Sequence, residues 1–120
     1  MSLLIWFRRD LRVQDNPALW QVVQDAREQG QAVTALYVFD PEGVGAWPPG
    51  GASRWYLEQS LRSLQQALAQ LGVPLRVERG RMTDWVPVAT RRLGATGVYW
   101  NRLVEPGQAA LDEAIAQSLR

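Results

Sequence analysis

Apolar positions along the chain follow two patterns: short continuous runs, and longer stretches in which they recur every three or four residues. Leu3-Leu4-Ile5-Trp6-Phe7 is a continuous run that stops at Arg8-Arg9-Asp10, the pattern of a strand covered on both faces. Asn16-Pro17 then places a capping side chain before a proline suited to the first helical position. Leu19, Trp20, Val22, Val23 and Ala26 continue as an apolar helical stripe that Gly30 ends. Val33 to Phe39 predicts a second buried strand, ending at Asp40-Pro41. The segment from Glu42 to Gly51, with four glycines and two prolines, predicts an irregular loop.

Ser53 is expected to cap a second helix, whose Leu57, Leu61, Leu64, Leu68 and Leu71 step by four and three until Gly72. The stripe is shorter than three heptads, so it predicts a helix packed on a sheet rather than a coiled coil. Leu75 to Glu78 reads as a third strand, alternating and charged. Thr83 or Asp84 is expected to start a third helix that runs to Leu93, with Pro87 within its first turns and Gly94 as its stop. Gly97 to Asn101 predicts a fourth strand, and Gln108 to Leu119 a fourth helix.

Strand followed by helix, four times over, calls for an α/β fold: a Rossmann-like parallel sheet with right-handed crossovers, helices on both faces and strand order 3-2-1-4. In such a sheet ligands bind beyond the C-terminal ends of the strands where the order reverses, here between the first and fourth strands. Those ends carry Arg8-Arg9-Asp10 and Asn101-Arg102-Leu103, with Asp40 beside them. The third strand has the charges Arg76, Glu78 and Arg79 that protect an edge, whereas the fourth has none. That contrast predicts a fifth strand beyond Arg120, another domain over that side, or a dimer through the uncovered edge of the fourth strand.

Composition narrows the chemistry. The chain has 120 residues, enough for one domain, and all 13 of its basic side chains are arginine; lysine, histidine and cysteine are missing altogether. The chain therefore has no Schiff-base lysine, no Ser-His-Asp or Cys-His pair, no thiol redox couple and no ordinary zinc site. Near neutral pH, acid/base work is left to carboxylates. Asp10, Asp40 and Glu105 could share one rim, but with no nucleophile beside them they are better read as hydrogen-bond acceptors for a polar ring or for Arg9 and Arg54. With 47% hydrophobic residues and a net charge of +1, the chain can bury a core and has no global pull toward nucleic acid. No basic patch interleaved with aromatic residues stands out, so direct DNA binding by this chain has little support in the sequence. No signal peptide and no run long enough to span a bilayer is visible, so a cytoplasmic protein with no membrane partner is expected.

The turn after the first strand contains no glycine, which argues against a dinucleotide fold of the usual kind. It offers instead Arg8, Arg9 and Arg12 with Asp10 and Asp15. These form either an internal Arg-Asp network that holds the turn or docks a neighbouring domain, or a direct ligand or phosphate contact. Of the six tryptophans, Trp6, Trp20, Trp85 and Trp100 are expected in the core, and Trp47 and Trp55 are the candidates for contact with a ligand or partner.

Leu4 to Arg12, followed by Asp15-Asn16-Pro17-Ala18-Leu19, resembles the N-terminal signature of the DNA photolyase and cryptochrome family. Phe39-Asp40-Pro41, Ser53 to Glu58, Val77 to Gly80, Val98 to Arg102 and Glu105-Pro106 extend the resemblance along the whole chain. It implies the α/β antenna domain, a five-stranded sheet whose fifth strand is absent from this chain. In many members that domain holds a light-harvesting pigment beside a larger helical domain with FAD. By carry-over, Arg9, Asp10, Asp40, Arg54, Asn101 and Arg102 would line or support the pigment, with Arg8, Arg12, Asp15 and Glu105 in structural or interdomain roles. Gly107-Gln108 stands where folate-binding members carry Asn-Glu. Leu103 stands where deazaflavin-binding relatives tend to have aspartate, so folate, deazaflavin and flavin all stay open. FAD and DNA contacts would belong to the helical domain, in cis or in trans. A cryptochrome-type signalling scaffold and a stand-alone nucleotide-binding domain are the alternatives.

Overall fold

Five apolar residues in a row cannot all point to one side of a strand, and the first strand buries both of its faces. The computed structural model describes residues 2–8, 11–39, 51–101, 113, 116 and 117. Within them the order is β1 (Ser2–Phe7), α1 (Pro17–Gln29), β2 (Ala32–Phe39), α2 (Gly51–Gln70), β3 (Leu75–Arg79), α3 (Met82–Arg92) and β4 (Ala95–Tyr99). The sheet runs β3-β2-β1-β4 with every pairing parallel, as the strand–helix alternation predicts.

Alternation along β1 and β2 sorts the interior into two layers. Leu3, Ile5 and Phe7, with Val33 and Ala35, meet Leu19, Val22 and Ala26 of α1 and Leu64 and Leu68 of α2. Leu4 and Trp6, with Leu36 and Val38, meet Met82, Val86 and Ala89 of α3. Crossover connections therefore cover both faces, and β1 lies at the centre with nothing but protein around it.

Helix boundaries differ from the sequence reading where the core decides them. α1 is as predicted: Asn16 is extended (φ −125°, ψ 93°) and caps it, Pro17 takes the first position, and Gly30 turns left-handed (φ 66°) at the end. α2 already begins at Gly51, so Ser53 lies inside its first turn rather than before it. Leu71, placed on the stripe by spacing, is 49% exposed because the helix ends at Gln70 and the chain turns away there. α3 starts at Met82 rather than at Thr83 or Asp84. Met82 opens a buried 82, 86, 89 series, and its core contact outweighs side-chain capping, since the Arg81 side chain makes no cap bond. Pro87 consequently sits in the second turn, where it leaves the Thr83 carbonyl without its helical donor.

β4 begins two residues before its predicted start, and Trp100 and Asn101 lie just past its end. The Glu42–Gly50 loop and most of the predicted fourth helix lie outside the described residues; Glu113, Ala116 and Gln117 are helical. Among the described residues no helix is long and apolar enough to cross a membrane.

Candidate functional site

Even-numbered residues of β1 face α3, and the alternation carries past the strand to Arg8. Its side chain is only 4% exposed, and its guanidinium lies 4.6 Å above the centroid of the Trp6 ring. A desolvated cation over an indole contributes about 2 kcal/mol. Arg8 Nη2 also donates to the main-chain carbonyl of Asn101, tying the end of β1 to the end of β4. Trp6 in turn meets Trp100 edge to face, with ring centroids 5.8 Å apart and planes at 64°. The indole N–H of Trp6 is fully buried and has no acceptor among the described residues. The C-terminal ends of β1 and of β4 beside it are thus joined by a cation and two indoles, with one indole N–H among them that has no acceptor among the described residues.

The N-terminus of α1 opens on the same end of the sheet, and the chain itself fills it. Asn16 Oδ1 accepts from Leu19 N at 3.1 Å and from Asn101 Nδ2 at 2.6 Å, while Asn16 Nδ2 donates to the Arg12 carbonyl at 2.9 Å. Asn101 Oδ1 accepts from Ala18 N at 2.9 Å. Pro17 has no N–H to offer. The first-turn donors that hold a phosphate in a nucleotide fold are therefore already taken. Farther along the same pair of elements, the Tyr99 hydroxyl donates to Asp25 of α1. Burial, then the hydrogen bond to the Asp25 carboxylate and its charge, push the Tyr99 pKa up to about 12.

Five of the ten residues proposed from sequence can be placed. Asn101 clasps α1 to β4, and Arg8 stacks in the interior. Arg12 Nε and Nη2 donate to the main-chain carbonyl of Asp15, at 3.3 and 3.1 Å. The contact that orders this turn is thus to backbone rather than to the Asp15 carboxylate, and Asp15 itself has positive φ (48°). Arg54 is exposed in the first turn of α2. Arg9, Asp10, Asp40, Arg102 and Glu105, and also Trp47, lie outside the described residues.

The tryptophans divide differently from expectation. Trp6 is in the core and Trp100 packs against it, but Trp20 is 63% exposed. The buried stripe of α1 is set by Ala18, Leu19, Val22 and Ala26, and Trp20 falls on the far side of it. Trp85 is only half-buried, with Nε1 donating to the Arg79 carbonyl at 2.9 Å. Trp55 is exposed, as its candidacy requires. Sequence reasoning saw in Asn16 only a helix cap. Its pairing with Asn101 spans 85 residues, and no local signal carries it.

The chain matches the DNA photolyase family model over residues 3–120. It is 36% identical over 117 residues to cryptochrome-1 of Sinapis alba, covering 97% of this chain and 22% of that protein. It is also 36% identical over 118 residues to the deoxyribodipyrimidine photo-lyase of Agrobacterium fabrum, covering 98% and 23%. A bacterial class III photolyase from Agrobacterium tumefaciens superposes with a TM-score of 0.84 at 34% identity, over 99% of this chain and 23% of that one. The chain thus spans under a quarter of the length of these relatives. A parallel β3-β2-β1-β4 sheet with this first-turn signature, shared along the whole chain with photolyases and cryptochromes alike, makes it an N-terminal domain of the DNA photolyase family.

Proposed function

We propose that this domain holds a planar light-harvesting pigment at the C-terminal ends of β1, β2 and β4 and serves a flavin carried by a helical partner domain, in cis or in trans. The observation that carries the reading is the rim itself. At the point where the strand order reverses, a buried guanidinium over Trp6 and an edge-to-face pair of indoles form its floor, with an indole N–H that has no acceptor among the described residues. That aromatic floor suits the flat ring of a folate, deazaflavin or flavin, whose carbonyls the exposed Arg54 would meet. It does not suit a pyrophosphate, because the α1 N–H groups are occupied by Asn16 and Asn101. When bound, such a pigment absorbs near-ultraviolet or blue light and passes the excitation on. The chain's own part is to orient it: Arg54 at the start of α2 and the proposed Arg9, Asp10, Asp40 and Arg102 would engage its polar groups, while Arg8 and Asn101 hold the rim rigid.

The parent reaction in this reading is light-driven splitting of cyclobutane pyrimidine dimers. Cryptochrome-1 matches at the same identity as the photo-lyase, which supports a second reading in which the same domain is a signalling scaffold.

The test is pigment uptake. The purified chain, incubated separately with a reduced folate, a deazaflavin and a flavin and then gel-filtered, should retain one of them with its absorption band, and Arg54→Ala should weaken retention. Retention of none rejects the antenna reading. A thermal shift with ATP in place of a pigment would favour nucleotide binding. Loss of light-dependent recovery from ultraviolet damage in a host lacking the gene separates repair from signalling.

A further inference from the structure

Between Arg76 and Arg92 the chain carries five arginines against Glu78 and Asp84. Arg76 and Glu78 neutralise one another at 3.2 Å across β3. Arg79, Arg81, Arg91 and Arg92 have no carboxylate partner among the described residues, and all four are exposed. Trp85 lies among them, with Arg92 over its ring. Trp85 Nε1 donates to the Arg79 carbonyl, and the Arg92 guanidinium lies 6.0 Å above the Trp85 ring. The carbonyl of Arg81, the residue before α3, accepts from Trp85 N at 2.9 Å. Arg81, Trp85, Val88 and Arg92 are spaced four, three and four apart and share one flank of α3, with Arg91 one step round the helix. From Arg81 to Arg92 the flank runs about 16 Å.

We infer that this β3–α3 flank binds the phosphodiester backbone of a nucleic acid, separately from the strand-end site and independently of the pigment reading. Guanidinium forks match phosphate oxygens two at a time, and about 16 Å of helix flank spans several phosphates of a duplex. The core of a protein–protein interface is apolar and poor in charge. This flank is the reverse: its indole is half-buried with its N–H already used, and its exposed groups are cations. Trp85 lies under the Arg92 guanidinium and fixes the Arg79 backbone, while the Arg79 guanidinium lies 5.7 Å from the Phe39 ring centroid, so two of the four cations are partly ordered before any ligand arrives, which lowers the ordering cost of binding.

The experiment is fluorescence anisotropy of the 120-residue chain with a short labelled DNA, as duplex and as single strand, over a range of salt. Three to four phosphate contacts predict a slope of log K against log salt of about −3. Arg81→Gln with Arg92→Gln should reduce that slope by about two and weaken low-salt binding tenfold or more. Arg27→Gln with Arg62→Gln, equally exposed on α1 and α2, should leave both unchanged. Circular dichroism confirms that all variants fold. Absence of low-salt binding to either DNA overturns the proposal. So does binding that the α3 pair leaves intact, or displacement of the DNA by polyglutamate at equal charge concentration, which would mark a surface for acidic proteins.

Discussion

At Gly80 a single added methyl group would meet the indole of Trp85, with Cβ 2.3 Å from Nε1, in a backbone of φ +150° that side chains rarely adopt. Gly80→Ala should therefore cost about 1–3 kcal/mol in denaturant unfolding. Trp85→Leu should recover part of that loss and leave the backbone share. Tyr99 allows a second test, by pH. Its pKa is about 12 in the folded chain against 10.0 ordinarily, so below pH 10 both states keep the proton and the bond to Asp25 contributes in full. Between pH 10 and 12 the unfolded chain releases its proton first, so stability falls as pH rises. Tyr99→Phe should flatten the unfolding free energy across that window. Neither residue announces itself in sequence. Gly80 stands there only at the end of a stretch of family resemblance, and Tyr99 as one more position of the fourth strand, because their constraints come from partners on other elements.

Elements were more legible than their ends. Continuous apolar runs marked β1 and β2, and steps of three and four marked α1 and α2, because burial in two layers imposes those periods directly. Boundaries failed wherever a tertiary contact outweighed a local signal: Met82 pulled α3 back by a turn fraction, and Leu71 kept the phase of α2 but lost its helix. Substitution separates phase from burial. Leu68→Ala removes a side chain packed between α2 and the sheet and should cost about 2–5 kcal/mol. Leu71→Ala, three residues on in the same stripe, should stay within about 0.5 kcal/mol in the same assay.

For the molecule as a whole, strand order could be read from alternation and crossover handedness, since few topologies satisfy both. The candidate site was legible as a location, at the reversal between β1 and β4, but not as a set of contacts. Asn101 came forward as a residue lining or supporting a ligand and clasps α1 to β4, and the basic flank of α3 was hidden because Arg81 and Arg92 reach one side of Trp85 only once the helix has formed. The clasp also bears on how fast the chain folds and how long it stays folded. Every strand pairing is parallel and needs a crossover, so the sheet must assemble through distant contacts, a slow class of topology. The bonds from Asn101 to Asn16 and Ala18 close across more than 80 residues and can form only once β4 has docked. Stopped-flow measurements on Asn101→Ala should thus show faster unfolding with a nearly unchanged folding rate. In kinetic terms the pair of asparagines is a latch: absent from the ascent to the native state, and governing how readily the finished domain reopens.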